Sequence, residues 1–257
     1  MNKTFIRTNN YNGVVAAVDA LVNRDPSLHG LGLFYGQWGY GKTEIVEQYY
    51  GISDTFYIRM MRKWATRRLL EELCEIMKLG APVYRLDRTV DQVIAGFRRW
   101  RKPLFVDEGD YLFQRGGEML DVIVDIFDAA RVPIIIIGME SIYERLQKHG
   151  KFFSRILPAG IVEFKPVSPP EIMLVTKEWT GLSIGYDGAE LLCRYISGDF
   201  RYLVGYLVTL EGACRTNGTT QITPKMVETV VNKAEKITKK MYGIENHKNI
   251  RILGKPS

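Results

Sequence analysis

Eight consecutive residues, Gly36-Gln37-Trp38-Gly39-Tyr40-Gly41-Lys42-Thr43, satisfy the pattern G-x-x-x-x-G-K-[ST] without a mismatch. Glycines let a backbone curl until successive N–H groups point inward at phosphate oxygens. The positive end of the helix that follows such a loop adds to that field. A lysine at the position of Lys42 reaches the β- and γ-phosphates of a nucleoside triphosphate, and a hydroxyl at Thr43 ligates Mg²⁺. All eight residues are therefore expected to bind ATP. A second constellation follows in Leu104-Phe105-Val106-Asp107-Glu108, an apolar run that ends in adjacent carboxylates. Asp107 is expected to hold Mg²⁺ together with Thr43, and Glu108 to polarise an attacking water as general base. Paired acids also occur on solvated turns; it is the coupling to the phosphate loop that favours catalysis.

These groups need elements to hold them, and the apolar pattern supplies a sequence of strands and helices. Leu31 to Tyr35 reads as a buried strand before the loop, and a helix begins near Lys42. Further strands are predicted at Thr55–Met60, Pro103–Val106, Pro133–Ile137 and Ile161–Phe164, with helices over 14–22, 66–78, 90–100 and 117–130. The isoleucine run from Ile134 lacks polar relief, which implies burial on both faces. Strands alternating with helices predict an α/β fold with a five-stranded parallel sheet flanked by helices. Past Phe164 the pattern changes. Lys165-Pro166-Val167-Ser168-Pro169-Pro170 is a proline-rich joint, with Ser168 placed to cap a helix that Pro169 opens. Only helices are predicted beyond it, at 170–180, 187–197, 200–215 and 224–239. The expected organisation is an α/β base over 1–166, a small all-helical lid over 167–240 and a basic tail over 241–257.

Composition narrows the function classes. The 257 residues are 46% hydrophobic and 25% charged, which excludes collagen-like and disordered chains. Thirty-five Lys and Arg against 29 Asp and Glu give +6, a tilt toward polyanionic partners. Three scattered cysteines (Cys74, Cys193, Cys214) and three histidines make no metal-binding spacing. No apolar run approaches the roughly 20 residues of a membrane span, and the first residues carry no secretory pattern. A cytoplasmic protein without a membrane partner is expected.

The pairing of Asp107-Glu108 with a helical lid resembles the AAA+ ATPases. In that resemblance Phe152-Phe153-Ser154-Arg155 matches the arginine-finger segment, so Arg155 would act on a nucleotide held by a neighbouring subunit. A surface salt bridge is the other reading of Arg155. Ser197-Gly198-Asp199-Phe200-Arg201 resembles the lid motif whose arginine, here Arg201, faces the nucleotide. The strand end that normally presents an Asn or Thr sensor has Gly138-Met139-Glu140-Ser141 instead, a departure from the family pattern.

Within AAA+ the chain looks most like the DNA-transposition ATPases, the group of the phage Mu transposition protein B and the TnsC target selectors. The carrying residues are Gly30-Leu31-Gly32-Leu33-Phe34-Tyr35-Gly36, Val132 to Gly138 and Gly198-Asp199-Phe200-Arg201. The likeness implies a homo-oligomeric ring or filament on double-stranded DNA, a transposase as partner, and slow, DNA-stimulated ATP hydrolysis that drives disassembly. Cations on the inner wall would touch phosphate and not bases. Arg59, Arg62, Lys63, Arg67 and Arg68, with Thr66 adding a hydroxyl, are the expected DNA contacts. Basic residues at a helix N-terminus oppose its dipole, so they need another purpose there. Arg98-Arg99-Trp100-Arg101-Lys102 is a second basic cluster, and either cluster reads equally as solvated surface. A helicase loader acting on a protein partner, and a signalling NTPase without nucleic acid, are the alternatives.

Overall fold

A computed structural model describes residues 4–242, with side chains described through residue 233. The expected basic tail lies, from residue 243 on, outside the described residues. The chain forms two units.

The first unit comprises Asn9–Trp38 and Lys42–Phe164. Its strands are β1 (Leu31–Tyr35), β2 (Phe56–Arg59), β3 (Leu104–Asp107), β4 (Ile134–Gly138) and β5 (Ile156–Glu163). They make one sheet in the order β2-β3-β4-β1-β5, every neighbouring pair parallel. Hydrophobic pattern and sheet position agree. β3 and β4 are buried along their whole length and lie inside the sheet, whereas β2 at one edge alternates between buried and exposed positions. A strand covered by helices on both faces must be apolar throughout, and an edge strand need not be. β5 is twice as long as the predicted stretch. Its first half is partly exposed and carries Pro158, and its register against β1 shifts between Leu31 and Leu33, so no alternating pattern announces it.

The helices of this unit are α1 (Asn9–Val22), α2 (Lys42–Ile52), α3 (Thr66–Ile76), α4 (Leu86–Trp100), α5 (Glu118–Ala130), α6 (Ser141–Lys148) and α7 (Gly150–Phe153). α4 starts four residues before the predicted 90, because its first turn is mostly polar and shows no apolar period. A 3-10 segment (Gly109–Gly117), kinked at Gln114–Gly116, follows β3 and was not expected; nor were α6 and α7. Leu69, Leu73, Phe97, Ile123 and Phe127 from the helices pack on Leu33, Val106 and Ile136 of the sheet in one fully buried cluster.

The second unit comprises the segment up to Thr8, Gly39–Gly41, and the chain from Lys165 onward. Its helices are α8 (Pro169–Thr180), α9 (Tyr186–Ile196), α10 (Phe200–Asn217) and α11 (Pro224–Tyr242). Ser168 and Glu171 form a capping box at the start of α8, which satisfies donors that a helix start leaves open. The expectation of helices alone is corrected here. β6 (Ser183–Ile184) and β7 (Gln221–Ile222) pair in parallel, with Ile184 and Ile222 buried among Leu192, Leu203 and Leu207. Two-residue strands are too short to leave a periodic signal. Among the described residues no helix is long and apolar enough to cross a membrane.

Ile136 is fully buried at the centre of the sheet. Ile136→Ala is expected to lower stability by about 2–5 kcal/mol and Ile136→Val by about 0.5–1.5 kcal/mol. Chemical denaturation reads both as a fall in midpoint at constant slope.

Candidate functional site

In an open parallel sheet ligands gather at the carboxyl ends of the strands, where neighbouring connections diverge. Here the turns leaving β1, β3 and β4 emerge at that edge. The turn after β1 is the loop Gly36–Thr43, in which Gly39 and Gly41 take φ of 78° and 81°, values that L side chains rarely adopt. A Cβ on Gly36 would lie 2.8 Å from the Phe164 side chain, so a glycine is required there for the chain to pass.

Lys42 opens α2 and turns its ammonium back into the loop, donating to the carbonyls of Gly36 (2.7 Å) and Gln37 (2.8 Å). Burial pushes its pKa down, and the nearby Asp107, Asp110 and Glu108 push in the opposite direction. The lysine is thus held where an anion would complete its coordination. Thr43 Oγ1 donates to Asp107 Oδ2 at 2.8 Å. Asp107 ends β3 at 3% exposure, and its other oxygen accepts the Glu108 amide at 2.8 Å. A hydroxyl and a carboxylate so placed make a hard oxygen pair that suits Mg²⁺, and the residues present fit that ion. When bound, Mg²⁺ neutralises charge on the β- and γ-phosphate oxygens.

One member of this site was absent from the sequence reading. Tyr57 on β2 donates its hydroxyl to the same Asp107 Oδ2 at 2.9 Å. Burial, and then the Asp107 charge, push its pKa well above the ordinary phenol value, so it remains a donor. Two residues on, Arg59 pairs with Glu108 at 3.1 Å. That hydrogen bond raises the Arg59 pKa and engages one of the expected DNA cations with a carboxylate. Glu108 itself has φ of 54°, a left-handed conformation that turns the chain sharply after β3. In the turn after β4, Glu140 accepts from Gln37 at 3.3 Å, so the departure from a sensor Asn or Thr puts a carboxylate against the phosphate loop.

Two expected roles meet partners that compete with them. Arg155 grips Asp128 of α5 with two bonds, Nε to Oδ1 and Nη2 to Oδ2, both 2.7 Å, and also donates to the Lys151 carbonyl. The hydrogen bond raises the pKa of the arginine and lowers that of the aspartate. This is the ion-pair reading of Arg155; a finger role requires that pair to break. In the second unit, Asp199 caps α10 through the Arg201 amide and binds the Arg201 guanidinium at 2.6 Å, so Arg201 is already paired. The same unit brings the lid motif to the loop tip: the Phe200 amide donates to the Gly39 carbonyl at 2.9 Å, and a Cβ on Gly39 would strike the Asp199 carboxylate.

The expected DNA contacts divide in the same way. Thr66 is 4% exposed, buried as the first residue of α3. Arg67 binds Glu71 (3.1 Å) and the Tyr84 carbonyl (2.6 Å), and Arg68 binds Glu72 (2.7 Å). Arg62 and Lys63 are exposed and make no ion pair among the described residues. The second basic cluster is mostly exposed, and two of its cations are engaged. Arg98 donates twice to the Ala129 carbonyl at the end of α5, and Lys102 pairs with Asp54.

Residues 24–146 match the family model of the AAA domain. The fold, a five-stranded parallel sheet flanked by helices, matches that of the AAA+ P-loop ATPases. Among solved structures, the Aeropyrum pernix ORC1 protein in complex with DNA is similar at a TM-score of 0.59 and 17% identity, over 93% of this chain and 68% of that one. Drosophila ORC bound to DNA is similar at 0.56 and 18%, over 97% and 73%. Domain III of the Thermotoga maritima replication initiation protein DnaA is similar at 0.51 and 14%, over 90% and 94%. No curated protein sequence matches this chain.

Arg155→Ala leaves the Asp128 carboxylate without its bidentate partner. The purified protein is expected to lose about 1 kcal/mol of stability, seen as a lowered Tm without nucleotide. A finger that acts only on a neighbour would leave that Tm in place.

Proposed function

We propose that this chain is an ATP-hydrolysing AAA+ protein that assembles with its own copies on duplex DNA, where it regulates transposition through target choice and transposase recruitment. Hydrolysis then ends the assembly. The observation that carries the reading is the Arg59–Glu108 pair. Glu108 is the group proposed to polarise water, and in this structure its Oε1 is held by a cation at the end of β2. Three and four residues beyond that cation stand Arg62 and Lys63, exposed and without ion-pair partners among the described residues. A phosphate backbone drawn to Arg62 and Lys63 would pull on the segment that carries Arg59 and release Glu108. That coupling gives slow hydrolysis without DNA and faster hydrolysis with it.

Assembly is supported by Trp38, 65% exposed on the nucleotide-binding loop, a large apolar surface that a neighbouring protomer would cover. Lys42, Thr43 and Asp107 are assigned to ATP and Mg²⁺, with the loop Gly36–Gly41 around the phosphates. Arg155 and Arg201 are retained as groups that act on the nucleotide only after leaving Asp128 and Asp199. A second reading, a replication initiator or helicase loader, is favoured by the similarity to ORC and DnaA structures. Electron microscopy of the protein with a non-hydrolysable ATP analogue and duplex DNA tests the first reading: continuous filaments support it, and discrete rings that prefer single strands or bind a replicative helicase support the second.

Glu108→Gln is expected to retain ATP affinity and to lower turnover at least about 100-fold, as removal of a general base does. Arg59→Ala is expected to do the opposite, raising DNA-free hydrolysis several-fold and flattening the response to DNA. Steady-state phosphate release with and without duplex DNA measures both.

The double reversal Arg62→Glu, Lys63→Glu is expected to abolish duplex binding in fluorescence anisotropy while ATP affinity stays within about twofold. Unchanged DNA affinity would remove these two residues from the interface.

A further inference from the structure

The strand end that lacks a sensor Asn or Thr is nevertheless tightly fixed, by a residue from another turn. Asp110 lies two residues past Glu108, and its Oδ2 accepts the backbone amide of Met139, the first residue after β4, at 2.7 Å. Its Oδ1 faces Arg145 of α6 at 3.5 Å, and that guanidinium sits 4.0 Å from the centre of the Phe113 ring. The Asp110 side chain is therefore held from two sides in a largely buried position.

Two glycines make the approach possible. A Cβ on Gly138 would come within 2.6 Å of Asp110 Oδ2 and 2.5 Å of Ile142 Cδ1, so any larger residue at the end of β4 would displace the carboxylate. A Cβ on Gly109 would run into the Ile136 side chain and lie 3.1 Å from the Ile137 carbonyl. The turn after β3 thus lies close against the end of β4, and the Asp110 side chain ties it to the turn beyond. What it fixes bears on the phosphate loop. Met139 Sδ is 4.0 Å from Lys42 Nζ, and the next residue, Glu140, accepts from Gln37.

We propose that Asp110 is the positioning residue for ATP hydrolysis in this chain. By accepting the Met139 amide it sets the turn after β4 against Lys42 and Gln37, work that a polar sensor side chain would otherwise do from the strand end. The proposal rests on the ATPase reading above. With its oxygens turned to the Met139 amide and Arg145, Asp110 acts through Met139, Glu140 and the residues they meet. Freed of it, the turn keeps its sequence but loses its placement, so nucleotide binding by the loop survives and the transition state is less well supported.

The test compares the wild type, Asp110→Ala and Asp110→Asn as full-length proteins, each measured for kcat and KM for ATP and for Tm. Asparagine keeps an oxygen that accepts the Met139 amide; alanine does not. The expected result is a kcat about 10-fold or more below wild type for Asp110→Ala with KM within about threefold, and for Asp110→Asn a kcat within about threefold of wild type. A kcat of Asp110→Ala equal to wild type overturns the proposal. So does Asp110→Asn falling as far as the alanine variant, or a raised KM at unchanged kcat. If Asp110→Ala does not fold, Asp110→Asn alone decides, and a fall of more than tenfold in its kcat overturns the proposal. A wild type that binds ATP but never hydrolyses it would instead sink the ATPase reading, an outcome distinct from any of these.

Discussion

A carboxylate out of reach of water has to be hydrogen-bonded on both oxygens, and that requirement at Asp107 organises the site. Its donors come from three separate segments: Thr43 at the start of α2, Tyr57 on β2 and the Glu108 amide that begins the turn. None of the three can shift without leaving a charge buried and short of a partner. The cluster therefore locks the helix after the phosphate loop, the edge strand and the turn after β3 into one arrangement. It also explains why the Lys42 ammonium tolerates partial burial, since Asp107, Asp110 and Glu108 are the negative charges that offset its desolvation.

Sheet order does the remaining positioning. β2 runs parallel to β3 with Arg59 opposite Asp107 and Tyr57 opposite Phe105. Residues two apart on a strand share a face, so Tyr57 and Arg59 reach the same side, one to Asp107 and the other to Glu108. The edge strand thereby carries both a group that steadies the proposed metal ligand and a group that occupies the proposed base. Under the proposed reading, a pull on the segment after Arg59 would reach Glu108 through that pair.

The parts of the site legible in the sequence were those written by local spacing. The eight residues of the phosphate loop, the buried strand ending at Asp107 and the capped start at Ser168 each depend on neighbours within a few positions, and apolar runs identified all five strands of the sheet. What could not be read depends on which strands become neighbours. Nothing in the order of residues says that β2 will lie beside β3, so Tyr57 read as strand filler and Arg59 as a surface cation. Asp110 followed the Asp107-Glu108 pair closely enough to be seen, yet its partner amide at Met139 is brought to it only by the packing of β3 beside β4. Arg155 and Arg201 were read from motif position alone; their partners Asp128 and Asp199 show that a motif specifies a position and not an electrostatic state. Thr66 read as a further phosphate contact, yet it is buried at the start of α3 while Arg68 two positions on is exposed.

The pairing of cations also bears on how duplex DNA would be held under the proposed reading. Of the residues expected to meet phosphate, Arg59 is engaged by Glu108, and Arg67 and Arg68 by Glu71 and Glu72, which leaves Arg62 and Lys63. Neutralising about two phosphates gives a salt dependence of only about −1.8 in log affinity per protomer, at about 0.9 per contact. A surface that thin grips DNA weakly as a monomer. It becomes effective when neighbours present the same pair along one duplex, because linked sites multiply affinity without any new contact. Retention on DNA would then depend on whether protomers hold one another, and through the nucleotide at their loops, on whether ATP has been hydrolysed.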